Sequence, residues 1–207
     1  MTVTMGEAMA WVGAFFWPFI RIGAMFMVAP LVGTKLLSAR VRLLLAVVVT
    51  IVVMPVLEPM PEVSPFSAEA LMISAHQMMI GVAMGFILQL VFATLTIAGE
   101  SIAMAMGLGF AMTVDPQNGV NLPVVSQFLT IVGTLLFMAF DGHLMLIQMI
   151  VASFQGLPVA TTGLPSEAYR QIADWASNMF ASALLIALPA LAALLLCPPP
   201  PAGGQAE

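Results

Sequence analysis

From Ala70 to Ala98 the chain carries no aspartate, glutamate, lysine or arginine, and four further stretches are almost as apolar. Such runs constrain the fold more than any other feature, because about 20 apolar residues in helical form match the ~30 Å hydrocarbon core of a bilayer. Five blocks can be delimited: Ala8 to Leu31, Leu43 to Leu57, Ala70 to Ala98, Val124 to Phe154 and Trp175 to Leu196. The chain is 61% apolar and 7% charged, whereas a soluble domain carries roughly 25% charge. The expected class is an all-α integral membrane protein with one polytopic domain over residues 1–196.

The blocks are not uniform. The first contains Arg21, Pro18 and Pro30, and the second is short for a span, so it must tilt little, lean on neighbours or fail to cross alone. A secretory signal peptide is not expected, because the first block is too long and lacks a basic start and a small-residue cleavage site. Lys35, Arg40 and Arg42 cluster between the first two blocks, which places that connection on the cytoplasmic side and the acidic link "LEPMPEVSPFS" outside. Simple alternation then puts residues 107–123 on the cytoplasmic side and "QGLPVATTGLPSEAYRQ" outside. Short blocks and internal prolines also suggest bent or re-entrant helices, which a membrane tolerates where protein neighbours satisfy the freed backbone groups.

Charge and motif content exclude several functions. A net charge of −5 leaves no basic stripe to neutralise phosphates, so nucleic acid is not an expected partner. A single cysteine, Cys197, and two histidines give neither an internal disulfide nor the usual makings of a metal site; no cofactor or metal is expected. There is no zinc-helix His-Glu-x-x-His, no Gly-x-Ser-x-Gly elbow and no phosphate-binding Walker loop, so the chain is not expected to be an enzyme. No clear internal duplication of the kind found in many secondary transporters is visible.

Ionisable groups inside apolar blocks are costly and normally face protein or water. Arg21, Glu100, Asp141 and His143 are the candidates. They could form an ion or proton site, or they could be buried pairs and caps that fix helix register. Gly81 and Gly85 form a small-xxx-small pair that lets another helix backbone come close.

The stretch "GLGFAMTVDPQNGVNLP", Gly107 to Pro123, interrupts the apolar pattern with Gly107, Gly109 and Gly119 and an Asp115-Pro116 turn signal, yet it retains Phe110, Met112 and Val114. On its residues alone it could be a structural loop packed beneath helices. It could also be a foldable apolar stopper, in which methionine adapts readily to repeated repacking.

The segments "AGE" (Ala98 to Glu100), "GLGFAMTVDP" (Gly107 to Pro116) and "DGHL" (Asp141 to Leu144), in this order and spacing, resemble the FliR family of flagellar export-gate proteins, and the resemblance extends to about Leu196. Virulence-type secretion relatives share the architecture, but the match looks flagellar. The resemblance implies a bundle of long, bent helical hairpins in the bacterial inner membrane, at the flagellar basal body. It also implies assembly with FliP and FliQ, contact with other flagellar export apparatus proteins and with membrane lipid, and passage of unfolded flagellar substrates. In that family the region matching Gly107, Gly109, Phe110, Met112, Val114, Asp115 and Pro116 forms a pore plug. Where the family continues through further apolar segments, this chain reads "CPPPPAGGQAE" and stops. The resemblance thus implies a chain shortened or read out of frame after about Leu196, with a disordered tail at 197–207. The alternative function is a small-solute or ion transporter using Glu100, Asp141 and His143.

Overall fold

The computed structural model describes residues 5–30, 37–57, 60, 61, 63, 67–108, 112–114, 121–161 and 163–196. Gly109, Phe110, Asp115 and Pro116, and the 197–207 tail, lie outside the described residues. The order of elements is α1 (Met5–Val28), α2 (Ala39–Val53) with a 3-10 turn (Met54–Val56), α3 (Ala68–Ala105), β1 (Met112–Val114), β2 (Asn121–Pro123), α4 (Val124–Ala139), α5 (Gly142–Gly156) and α6 (Ser166–Leu196). The protein is an all-α membrane protein carrying one two-stranded ribbon.

Polar caps move the helix boundaries away from the apolar blocks. Ser38 caps α2, its hydroxyl accepting from the Val41 amide at 3.5 Å, so the helix starts before the apolar run and takes in Arg40 and Arg42. Continued through the turn at Pro55, it reaches 18 residues from Ala39 to Val56 and is long enough to cross, which lengthens the short second block. Ser67 caps α3 in the same way, accepting from the Ala70 amide at 3.1 Å, and Glu69 in the first turn complements the helix dipole.

α3 is the spine of the molecule. Its 38 residues span about 57 Å at 1.5 Å per residue, and it packs against α1, α4 and α6. Against α1 it runs parallel: Gly81 lies under the Arg21 carbonyl and Ala24, and Gly85 under Met25 and Val28. A side chain at Gly81 would overlap the Arg21 carbonyl oxygen, and one at Gly85 would sit 2.8 Å from the Met25 oxygen. These glycines therefore set how closely the two backbones approach. Against α4 the spine runs antiparallel, through Gly99 on the Ser126 backbone, Thr96 beside Thr130 at 3.4 Å and Phe92 edge-on to Phe137. The core gathers Trp17, Ile22, Met25 and Phe26 of α1, Val49 and Val53 of α2, Ile73 of α3, and Leu146, Ile150 and Phe154 of α5.

The fourth apolar block is divided. α4 and α5 are bent by 70° at a break around Phe140 and Asp141, and together they are long and apolar enough to form one broken span. Asp141 occupies the left-handed region at φ 55°, a conformation that aspartate tolerates better than most residues. Gly142 follows it directly beneath the Phe137 ring, where a Cβ would lie 2.5 Å from ring carbons.

Replacing Gly81 with leucine should separate α1 from α3 and cost on the order of 1–3 kcal/mol, read as a lower unfolding temperature of the protein in detergent. Gly23→Ala, at a helical glycine with nothing within 4 Å of its Cβ position, should leave that temperature unchanged or raise it. Equal behaviour of the two variants would contradict the packing assigned to Gly81.

Candidate functional site

Two places in the fold concentrate unusual chemistry: a buried arginine centre and the turn that joins α3 to α4.

Arg21 is 1% exposed and has no carboxylate partner among the described residues. Its charge is held by dipoles. Nε donates to Gln77 Oε1 at 2.7 Å, one terminal nitrogen donates to the Ser153 carbonyl at 2.9 Å and its hydroxyl at 3.2 Å, and the other donates to the Leu157 carbonyl at 2.7 Å. The guanidinium lies 3.9 Å from the centroid of the Phe154 ring, close enough for a cation–π contribution. Ser153 and Leu157 stand at the C-terminal end of α5, where the helix dipole is negative; the Ser153 carbonyl already accepts from the Leu157 amide at 2.9 Å, while the Leu157 carbonyl is met by Arg21. α5 has no basic residue in its own last turn, so α1 supplies the cap from a distance. The rigid fork of arginine spreads its donors over three nitrogens and so reaches acceptors on two helices, whereas the three donors of lysine share a single nitrogen.

The other polar residues named from the sequence are not gathered around this centre. Glu100, half-buried, follows Gly99 on α3 at the end where α3 meets Ser126. Asp141 and His143 are exposed at the other end of α4, about 22 Å away along fifteen helical residues. None of the three side chains has a hydrogen-bond or ion-pair partner among the described residues, and no cluster of three or more His, Cys, Asp or Glu side chains that could hold a metal occurs among them. The carboxylates thus do not converge on one site.

The α3–α4 connection is built at both roots. Gly107 has φ 70°; its amide bonds to the Met104 carbonyl at 3.1 Å, and the Leu108 amide reaches back to Ala103 at 3.0 Å. This pair of bonds is the Schellman stop, which requires the left-handed residue that glycine supplies most readily. Beyond it, β1 and β2 pair antiparallel with Met112 opposite Pro123, Thr113 opposite Leu122 and Val114 opposite Asn121. Below them Ser126 is fully buried against Gly99, and a ladder of hydroxyls runs down α4, from Thr130 to the Ser126 carbonyl at 2.9 Å and from Thr134 to the Thr130 carbonyl at 2.8 Å.

Sequence reasoning did not identify Gln77, Ser153, Gly99 or Ser126. Gln77 is a lone polar residue facing Arg21 across a helix contact. Ser153 and the Leu157 carbonyl lie more than 130 positions from Arg21, and a carbonyl acceptor leaves no trace in residue type. Gly99, inside the "AGE" segment, was the available signal for a close approach at the root of the turn.

The fold and the rooted turn define a polytopic membrane protein whose fourth apolar block is bent by 70° and whose third and fourth apolar blocks are joined by a hairpin. The chain belongs to the bacterial export proteins, family 1, whose model matches residues 12–198. It is similar to the flagellar biosynthetic protein FliR of Escherichia coli K12, 37% identical over 195 residues that cover 94% of this chain and 74% of that protein. The FliR of Pectobacterium carotovorum is 38% identical over the same shares, and that of Bacillus subtilis 28% identical over 88% of this chain and 71% of its own length.

Arg21→Ala strips the donors from the end of α5 and should cost about 3 kcal/mol or more, since each buried group left unpaired costs roughly 1–3 kcal/mol. Arg21→Lys should recover only part of that loss. Unfolding of both variants in detergent checks the order; equal stability of lysine and arginine would show that charge alone, without the fork, serves the site.

Proposed function

We propose that this chain is a subunit of the flagellar protein export gate in the bacterial inner membrane, assembling with FliP and FliQ around the conduit for unfolded flagellar proteins, with residues 107–123 as its pore plug. The family supports an export role, and the relatives named FliR support a flagellar one. The observation that carries the plug assignment is the construction of the α3–α4 turn. A slack connector needs neither a Schellman stop at Gly107, nor an antiparallel ribbon, nor a Gly99–Ser126 contact that admits no side chain.

Such a root suits a gate, because the two helices hold the base of the hairpin in place. The apolar content of the segment, Leu108, Phe110, Met112 and Val114, is suited to excluding water and ions from a narrow passage without binding the transported chain strongly. The transporter alternative gains no support, because Glu100 lies at the opposite end of α4 from Asp141 and His143.

Removing residues 107–118 from the chain, co-expressed with FliP and FliQ, should make cells leak small ions while the complex still forms. Membrane permeability indistinguishable from that of the unaltered complex would overturn the plug role. Failure of the unaltered chain to co-purify with FliP and FliQ would overturn the assembly itself.

A further inference from the structure

The elbow between α4 and α5 is chemically out of place. If α4 and α5 form one bent span, the elbow lies near its middle, where an ionised side chain must meet protein or water. Yet Asp141 and His143 are exposed there, and the surface around them is apolar and open: Phe140 is 74% exposed, Met145 65%, Leu136 50%, and Met138 and Leu144 48% each. Apolar side chains exposed on a membrane helix can face lipid or a partner helix alike, so the charged group among them decides what the surface meets. An uncompensated carboxylate in its middle specifies what must meet it.

The backbone does not account for the charge. Asp141 serves the fold by adopting the left-handed conformation and by offering its carbonyl to the Leu144 and Met145 amides at 2.8 and 3.2 Å. Its side chain forms no cap bond to α5. Asparagine would perform both backbone duties equally well. Nor do the described residues supply a counter-charge. The chain has five basic residues against ten acidic ones; Arg21 is committed to the end of α5, Arg42 donates to the Leu37 carbonyl, and no basic side chain is within ion-pair distance of Asp141 among the described residues.

We infer that the α4–α5 elbow is a docking surface for a membrane helix of a partner subunit that presents a lysine or arginine to Asp141, with Phe140, Leu136 and Met145 packing around the ion pair. The inference rests on the assembly with other membrane subunits proposed above and adds to it the contact point and its chemistry. Charge complementarity argues for a protein partner over lipid acyl chains, which would leave the carboxylate without a counter-ion. The apolar rim would exclude water from the pair and so strengthen it. His143, two residues on, provides a second polar group on the same exposed surface.

The experiment compares Asp141→Asn, Asp141→Gly and Asp141→Glu in the full chain, co-expressed with FliP and FliQ. Asparagine and glycine keep the backbone geometry and remove the charge; glutamate keeps the charge. The expected result is at least a tenfold fall in co-purified complex for Asp141→Asn and Asp141→Gly, with recovery in Asp141→Glu, while the unfolding temperature of the isolated chain stays unchanged. Selection for restored assembly in Asp141→Lys should yield acidic substitutions at a lysine or arginine of a partner subunit. Full complex yield in Asp141→Asn would overturn the inference and leave the assembly intact. An equal loss of stability in the isolated asparagine and glycine variants would overturn it as well, by assigning the carboxylate to the fold. Absence of co-purification with the unaltered chain would instead remove both the assembly and this contact.

Discussion

The structure depends on how one buried charge is satisfied. Arg21 sits in the apolar core with no acid beside it among the described residues, and the burial is tolerable because its fixed planar fork makes four hydrogen bonds, to a glutamine oxygen, a serine hydroxyl and two carbonyls at the end of α5. The Leu157 carbonyl is itself a liability, lying past the last backbone donor of α5 inside the protein, while the Ser153 carbonyl takes a second donor beside the Leu157 amide. Two separate burial problems therefore cancel at one point. The result ties α1, α3 and α5 together across distances that sequence-local contacts cannot bridge, and it fixes where α5 must end.

Around that point the rest of the bundle is organised by α3. Its first half meets α1 through Gly81 and Gly85; its second half meets α4 through Gly99, each at backbone contact. Without aqueous solvent to drive helices together, close approach of backbones is what holds membrane helices in register. The same logic shapes function. A spine held at backbone contact near its middle and again at Gly99 fixes the root of the α3–α4 turn.

The helices were largely legible because lipid demands long apolar runs, and an arginine or a glycine pair inside such a run signals burial and close packing. What packs against them was not legible. The mate of Gly81 and Gly85 is another helix with no complementary motif, and the acceptors of Arg21 are mostly main-chain atoms far along the chain. The block from Val124 to Phe154 read as continuous because Asp141 and Gly142 are only two residues in an apolar stretch, and nothing in "FDGHL" states that the aspartate adopts positive φ. The start of α2 was hidden for the opposite reason: Ser38, Arg40 and Arg42 looked like loop, but a serine cap and a helix can precede an apolar run. In the turn after α3, the glycines marked a break in the apolar pattern but not the left-handed stop at Gly107, and the strand pairing of three residues on each side was too short to leave a period.

The central claim is that the turn between α3 and α4 stands in a passage shared with other subunits. A density map of this chain assembled with FliP and FliQ tests it most directly. The account predicts residues 107–123 on the central axis, surrounded by partner chains; finding them on the lipid-facing flank of the assembly would contradict it.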